Sequence, residues 1–189
     1  MNAYDFDKTI FHGDSSARFY QYCLWRTPKM LLRLPKLIWG TLFILPRDKQ
    51  RFKEETFGFL NDLKDPEAMV NAFWAKNKCR IKRFYAKTHR PDDLVASASP
   101  EFLLKPIMKE LGISRLIASP VDIRTGKYSG SNCHGEEKVR RFNKEYPGET
   151  IQDFYSDSHA DDPMARIAKT AWQVKNEAIS PWDWSKARK

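Results

Sequence analysis

Cysteine is scarce in this chain of 189 residues, and what there is lies scattered: Cys23, Cys79 and Cys133, with no CxxC pair. That pattern excludes a disulfide framework and a cysteine-held zinc, and it reads as reduced thiols in the cytoplasm. The histidines His12, His89, His134 and His159 lack metal-ligand spacing and read as loop or surface residues. Long hydrophobic runs are missing too. The most apolar stretch, Leu37–Leu45, is far shorter than the ~18–20 residues that cross a bilayer. Polar and acidic residues follow Met1 where a secretory leader would need a basic and then an apolar region. No internal repeat, low-complexity tract or known nucleic-acid module is found, so no nucleic-acid partner is expected.

Apolar residues make up 41% of the sequence and aromatics 13%, enough for a packed core rather than a disordered chain. Lysine and arginine number 33 against 24 aspartates and glutamates, a formal charge of +9. Such a surplus favours an anionic partner: a phosphate ester, an acidic membrane surface or a nucleic acid. Charge alone does not choose among them.

Ala3-Tyr4-Asp5-Phe6 reads as a short strand that emerges into Asp7-Lys8-Thr9. From Asp14 to His89 the signals are helical. Asp14 caps a helix over Ser15–Arg26, Thr27-Pro28 starts the next, Pro35 kinks it and Pro46 ends it. Further helices are expected over Asp48–Leu63 and from Asp65-Pro66 to about Tyr85. Beyond Pro91, strands at Leu94–Ala96, Leu116–Ala118, Ile151–Tyr155 and Ala171–Val174 alternate with helices starting at Ser99-Pro100, Glu136 and Asp162-Pro163. That alternation predicts an α/β fold, a doubly wound parallel sheet with helices on both faces. An all-helical insert, residues 14–89, interrupts a core of residues 1–13 and 90–189.

In such folds ligands bind at the carboxyl ends of the strands. Asp5 and Asp7 stand there after the first strand, Ser97 after the second, and Asp157 and Asp161 after Ile151–Tyr155. Lys138 lies in the first turn of a helix. Each alone has an ordinary explanation as a turn, cap or solvated residue. Their joint placement predicts one crevice holding four carboxylates, a hydroxyl and an ammonium. The carboxylates would repel one another without a cation among them, and an all-oxygen donor set favours Mg²⁺ over zinc. Asp14 reads as a helix cap or as a substrate-facing group.

Asp5-Phe6-Asp7-Lys8-Thr9 resembles the DxDxT motif of the haloacid dehalogenase superfamily. Leu94-Val95-Ala96-Ser97 is similar to its second motif and Gly135-Glu136-Glu137-Lys138 to its lysine motif. Tyr155-Ser156-Asp157-Ser158-His159-Ala160-Asp161 resembles its GDxxxD metal motif. The resemblance spans essentially the whole chain, and the insert sits as the helical cap does in the phosphoserine-phosphatase-like branch. It implies a Mg²⁺-dependent phosphatase in which Asp5 forms a phosphoenzyme and Asp7 is proton donor and acceptor. It also implies that Ser97, Lys138 and the backbone around Phe6, Asp7 and Ala98 bind the phosphoryl group. Asp5, Asp7 through its carbonyl, Asp157 and Asp161 would hold the metal, and Thr9 would support the loop. Lys8 and Ser156 depart from the pattern, each replacing a usual glycine. Tyr155-Ser156-Asp157-Ser158 instead resembles the bacterial phosphatidylglycerophosphatase members of the branch.

The insert interleaves basic and apolar residues from Lys29 to Trp39, followed by Leu42–Leu45. This reads as an interfacial surface that sets Lys29, Arg33 and Lys36 on anionic head groups, or as a helix packed on its neighbours. The expected substrate is a small phosphate monoester or a phosphorylated lipid head group, met in the cytoplasm or at the inner membrane surface. A non-catalytic phosphate- or membrane-binding protein on the same fold, and a phosphotransferase, stay open as alternatives.

Overall fold

Ala3 and Tyr4, both wholly buried, form β1 in the middle of a six-stranded sheet. The structure, a computed structural model, describes residues 1–44 and 48–186, with the backbone alone at positions 34, 36, 37, 40, 43, 49 and 86. After β1 come helices α1 (Ser15–Arg26), α2 (Leu34–Phe43), α3 (Lys49–Phe57), α4 (Pro66–Asn77) and α5 (Arg83–Thr88). The chain continues through β2 (Leu94–Pro100), α6 (Glu101–Glu110), β3 (Arg115–Ser119), α7 (Glu136–Glu145) and β4 (Ile151–Ser156). It closes with α8 (Asp162–Ile167), β5 (Ala168–Lys175) and β6 (Ala178–Pro181). The strand order is β3-β2-β1-β4-β5-β6, parallel except where β6 pairs antiparallel with β5.

Alternation along the strands sorts their side chains to two faces. Tyr4, Val95, Tyr155 and Val174 face one side, where α1, α4 and α6 bring Phe19, Phe73, Trp74, Leu103 and Leu104. Ala3, Leu94, Ala96 and Phe154 face the other, against Phe142 of α7 and Met164 and Ala165 of α8. The doubly wound α/β sheet read from the sequence is therefore present. Helices α1, α3, α4 and α5 share one continuous apolar cluster with the first of these faces. Trp74 joins them: its ring meets Phe6, Phe11 and Phe73 edge-on, and its indole N–H donates to the Leu103 carbonyl at 2.6 Å.

Three local expectations differ. The helix expected to run to about Tyr85 breaks after Asn77 into a 3₁₀ turn, Lys78–Arg80. There Ile81 forms a bridge with Phe11 and the Lys82 N–H donates to the Ile10 carbonyl at 2.8 Å, so contact with the loop after β1 overrides helix propensity. Pro35 does not kink a helix. Residues Pro28–Arg33 form a 3₁₀ stretch and α2 begins at Leu34, which puts Pro35 in the first turn, where its missing N–H is tolerated; Pro46 lies outside the described residues. Strand β6 was not expected, because Ala178–Pro181 is exposed throughout and carries no apolar alternation.

Replacing Trp74 with Phe keeps most of the ring but removes the indole N–H from the Leu103 carbonyl, at a cost of about 0.5–1.5 kcal/mol. Trp74→Ala should cost about 3–5 kcal/mol. Urea unfolding checks both, and a loss below about 0.5 kcal/mol for Ala would show that Trp74 does not join insert to sheet.

Candidate active site

Register decides which residues meet. Ala3 lies opposite Leu94 and Phe154, and Tyr4 opposite Val95 and Tyr155. The segments that follow, Asp5–Asp7, Ser97–Ser99 and Ser156–Asp157, therefore emerge at one edge of the sheet. The chain runs from β1 outward through β2 and β3, then crosses to β4 and β5 on the other side, so this edge is a topological switch point. A polar cavity of about 240 Å³ opens there. Of the residues singled out in the sequence, Asp5, Asp7, Ser97, Ala98, Lys138, Asp157 and Asp161 line it. Phe6 does not: its ring is buried against Phe11 and Trp74, which leaves only its backbone at the loop.

Gly135, at φ 59, turns the chain into α7, and Lys138 in the first turn of that helix is 2% exposed. Its ammonium donates to Asp5 Oδ1 at 2.8 Å and to Asp161 Oδ1 at 2.7 Å. Burial opposes the charge on Lys138, but the Asp161 and Asp5 carboxylates outweigh it and hold the ammonium's pKa above its usual value. Burial raises the Asp5 pKa, and the Lys138 ammonium beside it opposes that rise.

Asp7 is held by neutral donors. The Ser15 N–H reaches Oδ1 at 2.7 Å and the Ser99 hydroxyl reaches Oδ2 at 2.5 Å. Burial first, and then the neighbouring Asp14, push the Asp7 pKa up to about 6. A carboxyl group in that range exchanges protons readily near neutrality. Asp14 caps α1 by accepting the Ala17 N–H at 2.8 Å, and it also lines the cavity.

Asp161 is committed elsewhere than the sequence suggested. Lys138 takes its Oδ1, and the Ser156 hydroxyl takes its Oδ2 at 2.7 Å. Among the described residues no group of three His, Cys, Asp or Glu is arranged to hold a metal ion. The Lys138 ammonium lies between Asp5 and Asp161, so both Asp161 oxygens already have protein donors. Asp5 Oδ2 and the Asp157 carboxylate face the same cavity, and among the described residues no other residue donates to either. Burial raises the Asp157 pKa as well. Thr9 supports the loop: its buried hydroxyl accepts the Asp157 N–H at 2.9 Å.

Sequence reasoning missed Ser99 and Lys53. Ser99 sits two residues beyond Ser97, and that spacing on one strand was a usable signal. Lys53 carried no signal, since it lies in a helix of solvated-looking residues. It projects from α3 into the cavity and donates to the Ala98 carbonyl at 3.1 Å and to Asn132 Oδ1 at 3.0 Å. His134 also lines the cavity, whereas His12 pairs with Glu177 and His159 with Asp162, each at 3.0 Å.

Removing Lys138 as Lys138→Met leaves Asp5 and Asp161 facing each other without a counter-ion, at a cost of about 3–5 kcal/mol near neutrality. Urea unfolding near neutrality reads this, and a loss below about 0.5 kcal/mol would contradict the charge arrangement.

Residues 3–166 match the family model described as haloacid dehalogenase-like hydrolase. A histidinol-phosphatase of Neisseria meningitidis serogroup C (strain 8013) is 29% identical over 113 residues. That stretch spans 52% of this chain and 51% of the relative, about half of each. A solved protein of unknown function from Bordetella pertussis Tohama I shares the fold with a TM-score of 0.71 at 22% identity, covering 90% of this chain and 87% of that one. A phosphoserine phosphohydrolase-like protein from Francisella tularensis subsp. tularensis SCHU S4 does so with a TM-score of 0.55 at 14% identity, over 90% and 86% of the two chains. The family match covers most of the sequence, and this chain belongs to the haloacid dehalogenase-like hydrolase family.

Proposed function

We propose that the chain is a phosphomonoester hydrolase that works through an aspartyl-phosphate on Asp5 and uses Mg²⁺. The observation that carries this reading is the contrast between two carboxylates two residues apart: Asp5 is pinned by the Lys138 ammonium and Asp7 by neutral donors. An Asp5 oxygen attacks phosphorus, the ester oxygen leaves, and Asp7 passes its proton to that oxygen. Asp7, now a carboxylate, takes a proton from the water that attacks the phosphorus of the acyl phosphate. Phosphate departs and Asp5 is restored. Ser97 and the backbone N–H groups of Phe6 and Ala98 hold phosphoryl oxygens, while Lys138 offsets charge between them and Asp5.

Asp5, Asp157 and the Asp7 carbonyl suit a hard divalent cation, because all are oxygen donors and the two carboxylates keep acceptor positions that no other described residue fills. When bound, Mg²⁺ lowers the repulsion between an anionic nucleophile and an anionic ester. Residues 14–89 serve as the cap: Asp14, Ser16 and Lys53 reach from it into the cavity. In Asp7→Asn, phosphoenzyme formation from an alkyl phosphate should fall by about 10²–10⁴-fold, and much less from an aryl phosphate whose leaving group needs little protonation. Rapid-quench kinetics separates the two, and an equal loss for both leaving groups removes Asp7 from the role. Chelation should abolish turnover and Mg²⁺ restore it.

A second reading concerns where the ester comes from. No helix among the described residues is long and apolar enough to cross a membrane. Even so, Trp25, Leu31, Leu32, Ile38, Trp39 and Leu42 lie exposed along one segment, Trp25 at 86% and Leu32 at 83%. Beside them runs a groove of about 620 Å³ lined by Arg26, Lys29 and Lys64 and also by Asp62 and Asp65. Exposed apolar side chains with basic residues beside them suit the surface of an anionic bilayer. Arg33 is not part of it, since its guanidinium pairs with Asp62 at 2.5 Å, and the Lys36 side chain lies outside what is described. Each basic residue contributes on the order of 1 kcal/mol at such a surface, so replacing Arg26, Lys29 and Lys64 with Ser should weaken binding to anionic vesicles roughly a hundredfold. A parent protein that fails to sediment with anionic vesicles at low salt ends this reading.

A further inference from the structure

Strand β2 changes register before it ends. Ala96 lies opposite Ile117 and Pro100 opposite Ser119, so Ser97, Ala98 and Ser99 stand where β3 has only Ala118. Such a bulge breaks the alternation of faces and re-aims the side chains within it. Its backbone is tied down on both sides. The Ser97 hydroxyl accepts the Ser99 N–H at 3.1 Å, and the Ala98 carbonyl accepts from the Ser119 hydroxyl at 2.9 Å and the Lys53 ammonium at 3.1 Å. Ser99, 4% exposed, is thereby held with its hydroxyl on Asp7.

Three hydroxyls meet there. Ser99 Oγ lies 2.5 Å from Asp7 Oδ2, 2.9 Å from Ser16 Oγ and 3.2 Å from Ser15 Oγ. On the other side, the Ser15 N–H donates to Asp7 Oδ1 at 2.7 Å. The Asp7 carboxyl is thus gripped through both oxygens, by the first turn of α1 and by the bulge of β2. An N–H only donates, whereas a hydroxyl both donates and accepts. Ser99 can therefore donate to Oδ2 of the carboxylate, or accept from the acid and turn its own hydrogen to Ser16. The carboxyl keeps one orientation in either form.

We propose that Ser99 is a positioning residue for proton transfer: its hydroxyl, backed by Ser16, keeps the Asp7 carboxyl aimed at the ester oxygen that leaves and at the water that follows. The proposal rests on the phosphatase reading, in which Asp7 first gives a proton and then takes one. It separates Ser99 from Ser97, two residues away, whose role there is to hold phosphoryl oxygens. Proton transfer depends steeply on the distance and direction between donor and acceptor. Freeing one Asp7 oxygen should therefore slow the step that needs the proton and leave ester binding alone. The cluster also joins two parts of the chain, since Ser15 and Ser16 belong to the helical insert and Asp7 and Ser99 to the sheet. The insert has to be seated for Asp7 to be aimed.

Rapid-quench measurement of phosphoenzyme formation with Mg²⁺ tests this on an alkyl ester, glycerol phosphate, and an aryl ester, nitrophenyl phosphate. Ser99→Ala removes only the hydroxyl. It should slow the alkyl reaction about tenfold or more and the aryl reaction less than about threefold, because the aryl leaving group needs little protonation. The ester concentration at half-saturation should stay within about threefold for both. Ser99→Thr keeps a hydroxyl on the same carbon and should bring the alkyl rate back to within about threefold of the parent. In an Asp7→Asn background Ser99→Ala should slow nothing further, since a residue that acts through Asp7 then has nothing left to aim. Equal losses for the two esters, a change confined to half-saturation, or an added loss in the Asp7→Asn background overturns the role. So does a threonine variant that unfolds in urea as the parent does yet reacts like alanine. Formation of the phosphoenzyme by the parent protein tests the phosphatase reading separately, so either can fail without the other.

Discussion

The Lys138 ammonium lies 2.8 Å from one Asp5 oxygen and 2.7 Å from one Asp161 oxygen, and so ties α7, β1 and the turn after β4 into a single unit. The cavity around it is lined by five aspartates and three lysines, an imbalance that burial makes severe. Lys138 is the buried cation that makes direct ion pairs there, and the remaining carboxylates settle in two ways. Asp7 spends its two oxygens on the Ser15 N–H and the Ser99 hydroxyl, and Asp161 has one on Lys138 and the other on the Ser156 hydroxyl. Among the described residues no other residue donates to Asp157 or to the second Asp5 oxygen, and these two are the carboxylates proposed to hold a divalent cation. Stability and chemistry pull against each other at this site, because the open carboxylates that suit a metal are also the ones burial disfavours.

Most of the fold and much of the site were legible in the sequence, for a physical reason. Residues at the carboxyl ends of parallel strands are brought together by register, and the strands here announce themselves as short apolar runs ending in Asp or Ser. Asp5, Asp7, Ser97 and Asp157 were placed at one cavity that way, and Lys138 by its position in the first turn of a helix. What escaped depended on contacts between distant segments. Lys53 looks solvated in its helix until α3 is packed against Ala98 and Asn132. Ser156, read only as a departure from glycine, turns out to give its hydroxyl to Asp161. The break after Asn77 follows from a bridge between Ile81 and Phe11, 70 residues apart in the sequence (81 minus 11), and no local propensity reports that.

The helical insert shows the same division between what pattern reveals and what packing decides. Its inner side merges with the sheet through Phe19, Phe73 and Trp74 and carries Asp14 and Lys53 to the cavity. Its outer side leaves Trp25, Leu32 and Trp39 exposed, where interleaved basic and apolar residues had allowed either a packed or a surface helix. One element therefore spans the distance between the catalytic edge and the face proposed to meet lipid. Helix α1 makes this concrete: its first residue donates to Asp7, and its twelve residues extend about 18 Å to Trp25 and Arg26 at the far end.

The central claim is that Asp5 carries the phosphoryl group during turnover. Its most direct test is acid quenching of the protein during hydrolysis of a phosphate monoester with Mg²⁺, followed by peptide mapping by mass spectrometry. The account expects one phosphoryl group on the peptide containing Asp5, formed and lost at rates that match turnover and absent in Asp5→Asn. Turnover with no phosphorylated peptide, or with the group on another residue, would contradict it.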